Sequence, residues 1–372
     1  MESPVALLMG AGASACFGKE TAVGFLRNLN YALTQAIPSS EIERLRLPDD
    51  WVYEIKESIA RTTHCESNPN LVTRLARDVD LEDVLGYLED LKTSAKVVDG
   101  LSPSFNPGWQ AHDTARVKQI SEILLKAFHT VIRSHYSTVP GAQSRDNSNA
   151  WPEDVYLPLL SELRDLSGEV PVFTTNYDLA LEQAFSQGDW VLLDGFTTGD
   201  VLARHWSLRN YESLEASFGA RTTCLFKLHG SCDWYYESPE RVLNLNRFAP
   251  EVGDLQATAI YPQARKSELI MRHPFRELYD CLKSWIEPTT DERVRLLVVV
   301  GFSFREPQLN ELLRVPAAAG RVRILWVDPN ASEEHLLHAV PSPPFSRRVS
   351  KMEFGSDTID DLVAHVKEAL PA

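Results

Sequence analysis

Three segments of the chain place glycines or polar side chains directly after an apolar run, and this recurrence constrains the fold more than any other feature. The segments are Gly10-Ala11-Gly12-Ala13-Ser14 after residues 5–9, Thr175-Asn176-Tyr177-Asp178 after 170–173, and His229-Gly230 after 224–228. Each predicts a strand whose carboxyl end leads into a turn. Because open α/β sheets bind ligands at the carboxyl ends of their strands, all three segments are candidates for one site.

Further apolar runs extend this pattern to a whole sheet. Strands are also predicted at 191–193, 296–300 and 322–327, and helices at 178–185, 307–315, 333–340 and 357–370. Near-continuous apolar runs are typical of parallel strands covered on both faces, and their alternation with helices is typical of doubly wound sheets. We therefore expect an α/β fold with a Rossmann-like, doubly wound, mainly parallel sheet.

The interval between the first two strands is too long for a single crossover connection. Apolar residues at helical spacing in 81–91 and 116–136 indicate a helical insertion at about 40–165. We expect residues 1–372 to form one domain whose sheet core comes from 1–30, 168–234 and 292–372. An irregular, lid-like segment is expected at about 235–272.

The excess of acidic over basic residues limits the classes of partner that the chain is expected to bind. With 52 Asp and Glu against 37 Lys and Arg, the net charge of -15 disfavours direct binding to nucleic acid and to anionic membranes. Five cysteines without close pairing disfavour a disulfide framework, and no apolar run has the length of a membrane span. Glu2 stands where a signal peptide carries basic charge, so we expect a cytoplasmic protein.

Each candidate motif has a plainer alternative. The pattern Gly10-x-Gly12-x-x-Ala15 matches a dinucleotide-binding loop, but a tight turn without a ligand would have the same glycines. Asn176 is also a reasonable helix N-cap, and His229 a reasonable structural imidazole. The recurrence of strand and turn at Gly301-Phe302-Ser303 and at Asp328-Pro329-Asn330 favours convergence on one crevice.

Taken together, the motifs resemble those of the sirtuin (silent information regulator) family. Gly10-Ala11-Gly12-Ala13-Ser14 is similar to the family's Gly-Ala-Gly-x-Ser nucleotide loop, and Thr175-Asn176-Tyr177-Asp178 to its Gln-Asn-Ile-Asp segment. His229-Gly230 matches the catalytic His-Gly, and Gly301-Phe302-Ser303 resembles the Gly-Thr-Ser segment that contacts phosphate and ribose. The resemblance implies a catalytic domain that uses NAD+ as its substrate.

The departures from the family pattern are equally informative. Deacylating sirtuins carry two Cys-x-x-Cys pairs between the His-Gly and Gly-Thr-Ser segments, whereas this interval holds only Cys232 and Cys281. A structural zinc site needs four such ligands, so neither zinc nor another metal is expected. Thr175 also replaces the glutamine of the family motif. In these respects the chain resembles the zinc-free sirtuin-like NADases of bacterial antiphage systems.

This resemblance implies an NAD+ glycohydrolase, which cleaves NAD+ to nicotinamide and ADP-ribose as the toxic effector of an antiphage defence system. Asn176 would orient the ribose or the attacking water, and His229, whose ordinary pKa lies near neutrality, would be the general base. NAD+-binding roles are expected for Gly10, Ala11, Gly12, Ser14, Thr175, Asp178, Gly301, Ser303 and Asp328.

Two alternatives stay open. One is an NAD-dependent protein deacylase or ADP-ribosyltransferase, and the other is a non-catalytic regulatory module that binds NAD or ADP-ribose. The resemblance also implies a homo-oligomer and control by a separate protein such as a HerA-like ATPase.

Overall fold

The computed structural model describes residues 4–17, 37, 39–40, 51–64, 71, 76, 79, 84, 87–88, 114–137, 151–197, 203–211, 221–245, 256–259, 266–288 and 293–370. The chain divides into two compact units. The first comprises Met1–Lys19, Tyr136–Ala259 and Ser267–Ala372, and the second comprises Glu20–His135 and Ile260–Lys266. All of the candidate site residues belong to the first unit.

The first unit is built on a seven-stranded sheet with the order β11-β10-β9-β1-β2-β5-β3, in which every neighbouring pair is parallel. The strands are β1 (Val5–Met9), β2 (Val172–Thr174), β3 (Trp190–Leu193), β5 (Arg221–Lys227), β9 (Arg295–Val300), β10 (Val322–Val327) and β11 (Arg347–Ser350). The predicted Rossmann-like α/β fold is confirmed. β11 was not predicted, because its sequence Arg347-Arg348-Val349-Ser350 is polar, as befits an edge strand that pairs only with β10.

Helices cover both faces of this sheet. The described helices of the unit are α3 (Pro152–Ser167), α4 (Ala180–Ser186), α6 (Phe275–Ile286), α7 (Pro307–Ala318), α8 (Glu333–Ala339) and α9 (Ile359–Ala369). Apolar residues of α3, α4 and α9 share one core cluster with Val5, Leu7 and Met9 of β1. On the opposite face Trp285 of α6 packs against Phe173, with their ring centroids 6.4 Å apart.

The helix α3 lies within the range expected for the helical insertion, but it is part of the sheet unit. Its residues Val155, Leu159 and Leu163 are fully buried in the core cluster that also contains Val172 and Leu225. Residues 152–167 were misplaced because helical periodicity shows that a helix buries one face and does not show against what.

The glycine of the His-Gly motif begins one strand of a second, four-stranded antiparallel sheet. Its order is β4-β7-β6-β8, with β4 (Ala203–His205), β6 (Gly230–Ser238), β7 (Arg241–Leu245) and β8 (Gln256–Ala259). The segment at about 235–272 was expected to be irregular, but its described residues include the last four residues of β6, all of β7 and β8, and the short helix α5 (Lys266–Ile270). The expectation was wrong there because these strands mix polar and apolar residues, and such a mixture is a weaker signal than a continuous apolar run.

Of the second unit the structure describes mainly the helices α1 (Trp51–His64) and α2 (Thr114–Ser137). The predicted helix at 116–136 is therefore present. At 81–91 only Val84, Tyr87 and Leu88 are described, and they are helical, while the rest of that prediction lies outside the described residues. Among the described helices none is both long and apolar enough to cross a membrane.

Candidate functional site

The carboxyl ends of the central strands form one row across the parallel sheet. Met9 of β1 stands opposite Thr174 of β2 on one side and Val300 of β9 on the other. Thr174 in turn is opposite Lys227 of β5, and Val300 is opposite Val327 of β10. The residues that follow these ends, Gly10, Thr175, Asn176, His229, Gly301 and Asp328, therefore emerge at the same edge of the sheet.

The strands that follow β1 in the chain, β2 and β5, lie on one side of it in the sheet, whereas the strands that follow β9, namely β10 and β11, lie on the other side. The neighbouring strands β1 and β9 therefore flank the topological switch point of the sheet. Ligands of open α/β sheets bind in the crevice outside such a point. The fold and this row of strand ends thus define a doubly wound α/β protein with a candidate small-molecule site at the β1–β9 switch point.

The glycine loop after β1 packs directly on the loop after β9. Gly12 N donates to Gly301 O at 2.9 Å, and a Cβ added to Gly10 would stand 2.6 Å from the same oxygen. Gly301 itself has a φ of +61° and would place a Cβ 2.2 Å from Ala13 N. These glycines are therefore required by loop-to-loop contact, a reason different from the close approach to a pyrophosphate that the motif predicted.

Asn176 ties the glycine loop to the end of β2. Its Nδ2 donates to Gly10 O at 3.0 Å and to Ser14 Oγ at 3.1 Å. Its backbone nitrogen donates to Thr174 Oγ1 at 3.0 Å, and that hydroxyl donates to Met9 O at 3.1 Å. The amide is thus held in place through its nitrogen, and its Oδ1 is the atom that it can present to a ligand.

Ser14 is deeply placed, with 1% of its surface exposed. Besides the contact with Asn176, its Oγ lies 3.4 Å from the hydroxyl of Tyr156, which donates to Ala13 O at 3.2 Å. In this conformation Ser14 supports the loop from beneath, and a phosphate contact from its hydroxyl stays a prediction. Ala11 begins a 3-10 helix, Ala11–Phe17, in place of the α-helix that a dinucleotide loop would open.

The loop that carries Asn176 is anchored on its other side by Lys227 and Asp178. Lys227 Nζ donates to Asp178 O at 2.5 Å and pairs with Glu182 Oε1 at 2.7 Å, and the lysine is only 1% exposed. Burial lowers the pKa of Lys227, but the carboxylates of Glu182 and Asp233 outweigh it and raise the pKa, so this amine is a cation. Asp178 Oδ1 accepts from Ala180 N at 3.0 Å and starts α4, so Asp178 orders the loop.

His229 is 3% exposed and faces a carboxylate and a phenol. Its Nε2 lies 2.8 Å from Glu306 Oε1 and 3.3 Å from the hydroxyl of Tyr279, and Tyr279 donates to the same Glu306 oxygen at 3.3 Å. The ring centroid of Tyr177 is 6.4 Å from that of the imidazole. Burial, together with the charge of Glu306 and its hydrogen bond, raises the pKa of Tyr279, so this phenol stays protonated and can donate.

Steric crowding explains why a glycine follows His229. Gly230 has a φ of +78°, and a Cβ there would stand 2.3 Å from Thr258 O of β8. The chain reverses at this residue from the parallel sheet into β6. The His-Gly pair thus marks the junction of the two sheets.

The other predicted residues fall around this core. Thr175 donates its backbone N–H to Met9 O at 3.0 Å, and Asp328 Oδ1 accepts from Asn330 N at 2.8 Å within the turn that follows β10. Ser303 is exposed between the buried side chains of Phe302 and Phe304. Contacts of Thr175, Ser303 and Asp328 with NAD+ stay predictions.

Sequence reasoning missed Glu306 and Tyr279. Phe302, Phe304 and Glu306 occupy alternate positions, and all three are buried. A carboxylate at a buried position indicates a buried partner. Tyr279 lies on the buried face of α6, with Leu278 and Leu282 beside it, and that helix was not predicted. Helical periodicity would have revealed α6, whereas nothing local indicates that Tyr279 meets His229.

Among the described residues, no three or more His, Cys, Asp or Glu side chains are grouped so that they could hold a metal ion. The described cysteines Cys16, Cys224, Cys232 and Cys281 are free thiols.

Comparison with protein-family models gives a match that includes part of this site. A family model described as the SIR2-like domain matches residues 170–340, a range that contains Asn176, His229 and Glu306. A crystal structure of a Sir2 homologue in complex with NAD is similar, with 16% identity, coverage of 100% of this chain and 92% of that chain, and a TM-score of 0.41. No match was found among curated proteins.

Proposed function

We propose that this protein is an NAD+ glycohydrolase that releases nicotinamide and ADP-ribose. The observation that carries the proposal is the register of β2 and β5: Thr174 is paired with Lys227, and Asn176 and His229 each follow two residues later. A neutral amide and a titratable imidazole therefore emerge side by side at the ligand-binding edge of the sheet. The SIR2-like match over 170–340 supports NAD+ as the substrate.

The reaction asks little of the protein in proton donation, because the leaving group departs as neutral nicotinamide. The oxygen of water bonds to ribose C1′ while the C1′–N bond breaks, and the bonding electron pair goes to the pyridinium nitrogen. His229 takes the proton from the water and returns it to solvent, an effect worth about 10² to 10⁴ in rate. Asn176 Oδ1 orients a ribose hydroxyl or the water without adding charge.

The proposed contacts with the diphosphate of NAD+ come from the loops at the strand ends. The backbone amides of Gly10 and Gly12 already donate to Val300 O and Gly301 O. The donors proposed on the two loops that meet at the switch point are therefore the Ala11 amide and the exposed hydroxyl of Ser303. Roles for Ala11, Thr175, Gly301 and Asp328 belong to the same proposal. The buried Ser14 contributes through Asn176, whose amide donates to it at 3.1 Å.

Nicotinamide release from NAD+ by the purified protein, followed by liquid chromatography, tests the proposal. Release without an acylated peptide supports it, and both His229→Ala and Asn176→Ala are expected to lower the rate by at least about 10²-fold. His338→Ala, at an exposed position of α8, is the matched control and should cleave at the parent rate. Parent-like cleavage by the two site variants would contradict the assignment.

Two further outcomes would favour the alternatives. Release that depends on an acylated peptide indicates a deacylase, and transfer of labelled ADP-ribose to protein indicates an ADP-ribosyltransferase. Calorimetric binding of NAD+ without release, in protein purified with its native partners, indicates a regulatory module.

The proposal includes a biological setting taken from the family resemblance. The protein would destroy cytoplasmic NAD+ as a homo-oligomeric effector of antiphage defence, under the control of a HerA-like ATPase. Co-purification from cells that express the neighbouring genes, followed by the nicotinamide assay, tests this setting. A protein that cleaves NAD+ constitutively and alone would contradict it.

A further inference from the structure

The carboxylate of Glu306 is aimed at one particular nitrogen of His229. Glu306 Oε1 lies 2.8 Å from Nε2, and the two side chains are 9% and 4% exposed. In a neutral imidazole one nitrogen donates and the other accepts, so whichever partner fixes one nitrogen also decides the chemistry of the other. Glu306 is therefore placed to select the tautomer of His229.

The proton between the two groups belongs to the imidazole. An ordinary histidine has a pKa of about 6.5 and an ordinary glutamic acid about 4.3, so the imidazole is the more basic member of such a pair. Tyr279 gives a second reason, because its hydroxyl donates to the same Glu306 oxygen at 3.3 Å. An oxygen that receives two donors is best satisfied as an ionised carboxylate.

We propose that Glu306, supported by Tyr279, is a positioning residue that keeps the Nε2 proton on His229 and so makes Nδ1 the nitrogen that accepts a proton from water or a ribose hydroxyl. The imidazolium then loses its proton from Nδ1 while Nε2 keeps its own. The role of Nδ1 as the base rests on the proposed NAD+ hydrolysis. The assignment of the proton to Nε2 is independent of that function.

A second His–Glu pair in the same chain provides a matched control. His273 Nδ1 lies 3.0 Å from Glu277 Oε1, but His273 precedes α6, Glu277 is on the first turn of that helix, and the two side chains are more exposed, at 22% and 28%. Glu277→Gln removes the same kind of charge from the same kind of partner. It is expected to leave nicotinamide release unchanged.

The first readout is the tautomer of His229, independent of turnover. Protein labelled with ¹⁵N in its histidines is recorded in long-range proton–nitrogen spectra above the titration range, and the His229 signals are assigned by their loss in His229→Gln. The parent and Glu277→Gln should show the Nε2–H form, and Glu306→Ala a mixture of the two tautomers. An Nδ1–H form in the parent, or an unchanged tautomer in Glu306→Ala, would overturn the proposal.

The second readout separates positioning from structure. Glu306→Ala should lower kcat for nicotinamide release by about 10²-fold, with a smaller effect on KM, because binding does not require the tautomer. Glu306→Gln keeps an acceptor for the Nε2 proton, so this variant should recover part of the lost kcat. It should also move the acid limb of the pH–rate profile to lower pH, because the anion beside His229 is gone. Glu306, Tyr279 and Tyr177 are among the groups that face the imidazole.

Folding of each variant is checked by its circular dichroism and its thermal midpoint. If Glu306→Gln folds normally and leaves both kcat and the pH profile at parent values, Glu306 does not position the base. If the parent shows the expected tautomer but releases no nicotinamide even when it is co-purified with its native partners, the proposed function fails while the assignment of the proton stands.

Discussion

The carbonyl oxygen of Gly301 lies 2.9 Å from the backbone nitrogen of Gly12, so the loops that follow β9 and β1 are joined backbone to backbone across the switch point. This close approach leaves no space for a side chain at Gly10, Gly12 or Gly301. It explains why glycines recur at both strand ends, and it makes the geometry of the candidate site depend on residues that carry no functional group.

Gly301→Ala is expected to destabilise the fold more than Gly168→Ala does. Both glycines have positive φ, +61° and +80°, but only the Gly301 Cβ would collide, at 2.2 Å from Ala13 N, whereas Gly168 has open space. We expect about 1–3 kcal/mol from backbone strain alone for Gly168→Ala and at least twice that for Gly301→Ala. Urea unfolding of the two variants measures the difference, and equal losses would contradict the close approach of the two loops.

Asn176→Asp should lower both stability and nicotinamide release. The substitution replaces the Nδ2 donor to Gly10 O and Ser14 Oγ by an oxygen that faces the carbonyl oxygen of Gly10, which can only accept, a loss of about 1–3 kcal/mol. The matched control is Asn210→Asp, which removes an Nδ2 bond of 2.8 Å to Gly195 O away from the row of strand ends. That control should lose stability but keep the parent kcat, and a comparable fall in kcat would argue against a specific role of Asn176.

Cys16, on the 3-10 helix that follows the glycine loop, should react slowly with iodoacetamide. Burial raises the pKa of its thiol from 9.0 to about 12. Only the thiolate reacts, so alkylation of the native protein at pH 8 should be about 10³-fold slower than that of an ordinary cysteine, and the rate should rise about tenfold per pH unit up to pH 11.

Mass spectrometry of the peptide that contains Cys16 gives this rate in native buffer and in urea. Cys281, whose pKa burial raises to about 11, should react faster than Cys16 at the same pH and serves as an internal comparison. Labelling of Cys16 at the same rate in buffer and in urea would show that its thiol is not buried.

Lys227→Met should destabilise the protein by about 3–5 kcal/mol, because it leaves the paired carboxylate of Glu182 and the carbonyl of Asp178 without their donor. Glu182→Gln added to the same chain should recover part of the loss, since the uncompensated charge is then removed. Chemical unfolding of the single and double variants measures the coupling. Strictly additive losses would mean that the two residues do not interact.

The sheet could be predicted from short stretches of sequence because its strands are buried on both faces. Runs such as Leu296–Val300 must be apolar throughout, and the turn after each strand must contain residues that tolerate it. The antiparallel sheet was missed for the opposite reason. Its strands, such as Arg241–Leu245, mix polar and apolar residues, and their pairing with β6 depends on contacts across the fold.

By itself the sequence determined six of the seven parallel strands, the helices α4, α7, α8 and α9, and the polar residues at the strand ends, because each of these follows from local burial and turn chemistry. Only the tertiary structure decided which side chains meet. The 2.8 Å contact between His229 and Glu306 joins residues 77 positions apart, and Tyr279 reaches both from another helix. Likewise, the glycines of the first motif prove to be packed against a second loop from the far end of the chain. Such pairings depend on the order of strands in the sheet, which no local pattern encodes.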